Sequence, residues 1–159
     1  MILVALGSNM TGPWGTPHQT VTRALAELNT FPLRLKAAST LLVTKPFGVL
    51  NQPDFVNAAA WIETALPPET LLRKLHEIEK RAGRKRRRRW GPRTLDLDLL
   101  DYNGQIKRKP SDMPKALILP HPGLAARRFV LEPVAEIAPR WKHPQRHLSP
   151  AQLLAHLPH

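Results

Sequence analysis

An α+β fold on a split, mainly antiparallel sheet is the class this sequence predicts, and three observations carry it. Apolar alternation and helical periodicity succeed one another as strand, helix, strand, strand, helix, strand, followed by a mixed tail. Strands two and three are close enough for an antiparallel hairpin link, and too few crossovers are available for a doubly wound parallel sheet. No repeat or long linker divides the 159 residues, so one domain is expected, with its helices packed on one face of the sheet.

The elements follow in order. Ile2 to Leu6 is an apolar strand, which Gly7-Ser8-Asn9 breaks. His18 to Leu28 carries Val21, Ala24, Leu25 and Leu28 on one helical face. Leu33 to Val43 alternates as a strand, and TKPFGVLNQPD (44–54), with two prolines and a glycine, is a loop. Phe55 to Glu63 is the third strand, with Ala58, Ala60 and Ile62 sharing a face. Pro67-Pro68 opens a helix bearing Leu71, Leu72, Leu75 and Ile78, and Gly83 stands where it should stop. Thr94 to Tyr102 is the fourth strand, ended by an Asn103-Gly104 turn. KRKPSDMPK is a second polar loop. Leu124 to Ile137 is helical in pattern but interrupted by Pro133, and Ala151 to Leu157 is a last short helix.

Composition narrows the function. An apolar fraction of 42% is too high for a disordered chain. The chain has no cysteine, which excludes disulfides, thiolate metal sites and thiol nucleophiles and fits a reducing compartment. MILVALGSN is too short for a membrane span and lacks a basic signal-peptide start, so a cytoplasmic protein is expected. The net charge of +12 predicts affinity for anions, and half of it equals the six consecutive cations Arg84 to Arg89. The histidines of the tail, His143, His147, His156 and His159, have no metal-ligand spacing.

That basic run leads through Trp90-Gly91-Pro92-Arg93 into TLDLDLL. In a strand, Asp96 and Asp98 point the same way while Leu95, Leu97 and Leu99 point into the core. Two carboxylates about 6.6 Å apart repel by roughly 2.5 kcal/mol at an effective dielectric near 20. A divalent cation reverses that sign, and Mg²⁺ takes one or two carboxylates with water and substrate phosphate in its other positions. The bland alternative is a half-exposed strand with two solvated aspartates. Carboxylates for metal beside arginines for phosphate oxygens favour phosphoryl transfer instead. No phosphate-binding Gly-x-x-x-x-Gly-Lys-Ser/Thr loop and no kinase glycine loop is present.

The string RWGPRTLDLDLL resembles the signature of the 6-hydroxymethyl-7,8-dihydropterin pyrophosphokinases of folate biosynthesis. The likeness extends to ALGSN (5–9), TKPFG…NQPDFVNAA (44–59), EIEKRAGR (77–84) and LPHPGLAARRFVLEPVAEIAP (119–139), in the family's order. The resemblance implies a ferredoxin-like sandwich and transfer of the β,γ-pyrophosphoryl group of ATP to the pterin hydroxymethyl, releasing AMP. It implies two Mg²⁺ ions on Asp96 and Asp98, with Arg84 and Arg93 bracketing a mobile catalytic loop. Trp90 would cover the site. Asn57 would hydrogen-bond the pterin, Phe55 and Phe129 would wall its ring, and Gly7, Thr44 and Phe47 would border it. Glu79 would link the pterin and nucleotide pockets. His76, Leu99, His121 and Arg127 would contact the nucleotide, as would Arg86, though any of Arg86 to Arg88 can fill that role. Ala116 stands where the family has a phosphate-contacting arginine, with Lys115 as the substitute, and Pro122 replaces a larger residue. A monomer acting on small molecules, without nucleic acid or membrane, is expected.

Each residue also has a plainer reading. Phe55 and Phe129 read as core, Glu79 as part of a solvated helix face, Asn57 as a strand-end turn residue and His121 as an ordinary loop residue. A nucleic-acid-binding module is the competing function, since the basic run offers phosphate contacts. Against it, no aromatics are interleaved with the cations. A metal-dependent nuclease or phosphatase would use the same aspartates but leaves Asn57 and the 44–53 loop without a role.

Overall fold

The first strand, β1 (Ile2–Ser8), is buried on both sides, and this organises the molecule. Ile2, Val4 and Leu6 join one apolar cluster while Leu3 and Ala5 join another. A strand apolar at consecutive positions belongs in the middle of a sheet covered on both faces. The computed structural model describes residues 1–44, 54–84, 93–108 and 117–158. The other strands are β2 (Leu33–Ala38), β3 (Leu42–Thr44), β4 (Phe55–Thr64) and β5 (Asp96–Tyr102). They form one antiparallel sheet in the order β2-β4-β1-β5, with β3 also paired to β4. Because β1 and β2 both run antiparallel to β4, they are parallel to each other with β4 inserted between them. That is the split βαβ arrangement of a ferredoxin-like sheet, as expected.

Two helices cover the first face. Helix α1 (Pro17–Glu27) starts in a capping box, where Thr16 accepts from the Gln19 N–H and donates its own N–H to the Gln19 side chain. Helix α2 (Pro68–Arg81) buries Leu71, Leu75 and Ile78 completely, each contributing about 1.5–3 kcal/mol of apolar transfer. Gly83, at φ +91°, turns the chain out of α2 in the left-handed conformation that favours glycine. Asn103 and Gly104 both have positive φ, as a type I′ turn requires.

The second face is covered as well, which corrects the one-faced expectation. Helices α3 (Arg128–Ile137) and α4 (Pro150–Ala155) place Val130, Leu131, Val134 and Leu153 against Leu3, Ala5, Ala59 and Leu100. The tail is tied down by Trp141, whose Nε1–H donates to Asp101 Oδ2 at 2.8 Å. Pro133 does not interrupt α3: it lies buried inside the helix, where apolar packing on the sheet outweighs the one backbone bond that proline cannot make.

Two strands differ from expectation. The segment 33–43 is not one strand but β2 and β3, because Ser39 and Thr40 spend their polar groups elsewhere. The Ser39 hydroxyl accepts from the Ala59 N–H at 2.9 Å, and Thr40 donates its N–H and hydroxyl to Glu136 on α3. β1 continues through Gly7 and Ser8, since both are paired with β4 and Gly7 also with β5. Among the described residues no helix is long and apolar enough to cross a membrane.

Candidate active site

Strand register assembles the site. Asn57 on β4 lies opposite Gly7 on β1, and Gly7 lies opposite Asp96 on β5. In the next row on the same face, Ala59 is opposite Ala5 and Ala5 opposite Asp98. Asn57 and Asp96 are thus two strand spacings apart, about 9.6 Å, over a floor of glycine and alanine. The space above Gly7 depends on its lack of a side chain, because a Cβ there would sit 3.0 Å from Asn57 Oδ1. The expected alternation holds: Leu95, Leu97 and Leu99 are buried in the cluster on the α1/α2 face, while Asp96 and Asp98 are half-buried on the other. Leu99 therefore turns its side chain away from the aspartates. Asn57 is a ladder residue within β4, not a strand-end turn residue.

The two phenylalanines are not core. Phe55, on the same strand face as Asn57, is 39% exposed, and Phe129, in the first turn of α3, is 45% exposed. Phe55 shares a strand face with the small-residue floor, and a ring left open to solvent there suits a flat ligand better than it suits packing. Thr44 pairs with Phe55 at the end of β3.

Glu79 is likewise not on a solvated face. It is 1% exposed, in the last turn of α2, and its Oε2 accepts the Leu97 N–H at 2.7 Å. That bond closes part of the open edge of β5. The same oxygen pairs with Arg84 Nη1, which also donates to Asp96 Oδ1 at 2.7 Å. From the other side, Arg93 Nη1 reaches Asp96 Oδ2 at 3.3 Å. The structure therefore brings together Glu79, Arg84, Arg93 and Asp96, with one guanidinium shared between two carboxylates. His76 lies half-buried one turn before Glu79 on α2.

Asp98 is held differently. Burial pushes its carboxyl above the usual carboxylate range, the Asp96 charge adds to this, and His121, Arg127 and Arg84 pull it back. His121 stands with Nε2 3.7 Å from Asp98 Oδ1. It is anchored to β5 by its backbone N–H, which donates to the Leu100 carbonyl at 2.9 Å. Its Nδ1 accepts the Gly123 N–H at 3.0 Å, so the neutral ring carries its proton on Nε2, facing the carboxylate. His121 is therefore not an ordinary loop residue.

Asp96 and Asp98 fit a hard cation. Among the described residues no group of three or more His, Cys, Asp or Glu is placed to hold a metal unaided. Two carboxylates suit Mg²⁺ when water and substrate phosphates complete its shell. A carboxyl whose proton is held tightly by burial and a like charge is also one that a cation relieves. Of the remaining expected site residues, Phe47, Arg86 and Trp90 lie outside the described residues, as do Lys115 and Ala116.

Sequence reasoning gave no role to Asn9. Its side-chain Oδ1 accepts the Arg93 N–H at 2.7 Å, and its own N–H donates to the Arg93 carbonyl at 3.1 Å. This clamp fixes the backbone of the residue that reaches Asp96. The only signal was its place in ALGSN, and nothing local shows a partner 84 positions away.

Comparison with known proteins identifies the family. Residues 3–139 match the family model of the 7,8-dihydro-6-hydroxymethylpterin-pyrophosphokinases. The chain is similar to the 2-amino-4-hydroxy-6-hydroxymethyldihydropteridine pyrophosphokinase of Pseudomonas aeruginosa, 43% identical over 99% of this chain and 91% of that protein. Proteins of the same name from Haemophilus influenzae and Bacillus subtilis are 42% and 38% identical, over 85% and 84% of this chain and 79% and 75% of their own. The chain belongs to the 7,8-dihydro-6-hydroxymethylpterin-pyrophosphokinase family.

Proposed function

We propose that this protein transfers the β,γ-pyrophosphoryl group of ATP to the hydroxymethyl of 6-hydroxymethyl-7,8-dihydropterin, releasing AMP, as a step of folate biosynthesis. The single observation that carries the reading is the row Asn57–Gly7–Asp96, which sets an amide and a carboxylate on one strand face across an open floor. The amide pairs with the edge of a planar heterocycle, and Phe55 and Phe129 close on its faces, with Thr44 at the margin. Glu79, held at the edge of β5 and paired with Arg84, would link this pocket to the charged groups that meet the nucleotide.

Asp96 and Asp98 would hold two Mg²⁺ ions. The metal, when bound, neutralises phosphate charge and lowers the pKa of the attacking hydroxyl. Arg84 and Arg93 already converge on Asp96, so a polyphosphate entering beside that carboxylate meets two guanidiniums in place. His121 and Arg127 lie on the Asp98 side and donate to the nucleotide phosphates, and His76 borders the nucleotide. The pterin hydroxymethyl oxygen releases its proton to solvent and attacks the β-phosphorus, the bond from that phosphorus to the α–β bridging oxygen breaks, and AMP leaves with that oxygen. We place the protein in the cytoplasm, acting as a monomer on small molecules.

The test is product identity. With Mg²⁺, ATP and the hydroxymethyl dihydropterin, AMP should form one-for-one with pterin diphosphate. ADP as the nucleotide product would overturn the assignment.

A further inference from the structure

We propose that Gly123 is a positioning residue for the nucleotide side of the site, acting through Arg127 by the space that its missing side chain leaves. The backbone does not require glycine here: φ is −89° and ψ −4°, a conformation open to any L-residue. Space does. A Cβ on Gly123 would fall 2.8 Å from Arg127 Nε, 2.9 Å from Cζ and 3.1 Å from Nη2, so the guanidinium lies directly over the glycine. Three contacts at or near 3 Å cannot survive an added methyl, and the guanidinium must move.

The surroundings determine how it moves. The Arg127 carbonyl accepts from the Val130 and Leu131 N–H groups at 3.1 and 3.0 Å, which locks its backbone to the start of α3. The side chain alone can yield, by leaving the rotamer that lays it across Gly123. Gly123 also donates its N–H to His121 Nδ1, so one residue fixes the proton of the histidine and the place of the arginine. The two groups that meet the phosphates are thus set by a single position, and an alanine there would disturb only the second of them.

The inference rests on Arg127 contacting nucleotide phosphate, and the experiment separates the two claims. Gly123→Ala, Arg127→Ala and the double variant are compared by calorimetric binding of an ATP analogue with a methylene bridge between the α and β phosphorus atoms. Steady-state turnover and thermal unfolding are measured alongside. Arg127→Ala should weaken analogue binding on the order of 10- to 100-fold, the loss typical of a hydrogen bond to a charged group. Gly123→Ala should reproduce at least about a third of that loss on the logarithmic scale, with Tm within about 2 °C of the parent because only a side-chain end is displaced. In the Arg127→Ala background the Gly123→Ala change should do nothing further. Full binding by Gly123→Ala beside a weakened Arg127→Ala would overturn the positioning role and leave the site reading standing. Full binding by Arg127→Ala would overturn the phosphate contact and this inference with it. Equal losses for Gly123→Ala with and without Arg127 would assign the effect to the fold and refute action through the arginine.

Discussion

Replacing Asp98 with asparagine should stabilise the metal-free protein while abolishing its activity. Burial first, and the Asp96 charge second, raise the Asp98 carboxyl, and the opposing pull of His121, Arg127 and Arg84 does not cancel them. Unit charges about 6.6 Å apart repel by about 2.5 kcal/mol at an effective dielectric near 20. That value is the Asp96 repulsion alone: relief of the buried charge adds to it, and loss of the attraction to Arg127 and Arg84 subtracts from it. A domain of this size shifts by about 2–4 °C in Tm per kcal/mol, so Asp98→Asn should melt several degrees higher. The sign fixes the pH window. A carboxyl raised in the folded state holds its proton more tightly there than when unfolded, so wild-type stability falls as pH climbs from the unfolded pKa through the folded one. In EDTA the two proteins should therefore melt together near about pH 3 and diverge at neutral pH, with Asp98→Asn above. Added Mg²⁺ with the ATP analogue should reverse the order, because only the wild type keeps both carboxylates. Turnover should fall on the order of 10²-fold or more. An Asp98→Asn protein that melts below wild type in EDTA at neutral pH would refute the reasoning, since the carboxylate would then be a net stabilising partner of His121 and Arg127.

Three further outcomes are expected. Arg93→Ala should slow the chemical step more than it weakens pterin binding, read by single-turnover rates against pterin Kd, and equal losses would argue against a transition-state role. Gly7→Ala should weaken pterin binding by pressing on the Asn57 amide, by about 10-fold if one hydrogen bond is lost, while Kd for the ATP analogue stays unchanged. Trp141→Phe should leave Asp101 Oδ2 without its donor at a residue only 2% exposed. That costs about 1–3 kcal/mol, or roughly 2–12 °C in Tm, with kcat unchanged at 25 °C.

Much of this was legible because period and chemistry agree along short stretches. The alternation of TLDLDLL put the aspartates on one face and the leucines in the core, and the spacing of Leu71, Leu75 and Ile78 placed α2 before Gly83 stopped it. The second helical layer was harder to read. Its signal was the continuous apolar run Ile2 to Leu6, which demands cover on both faces, but the weakly patterned tail that supplies the cover is broken by Pro133. Residues whose roles depend on distant partners were legible only through the family likeness or not at all. Glu79 lies among Glu77, Lys80 and Arg81, and only the fold shows that it turns inward to the edge of β5. Asn9 meets Arg93, 84 positions away, through contacts that no local pattern encodes.

The most direct test of one polyanion lying between carboxylates and arginines is anomalous diffraction from crystals grown with Mn²⁺, the ATP analogue and the pterin. The expected result is metal density at about 2.1–2.2 Å from oxygens of both Asp96 and Asp98, bridging to the phosphates, with Arg84 or Arg93 on the opposite side of the same phosphates. Metal bound to the nucleotide without either aspartate, or phosphates lying away from both arginines, would contradict it.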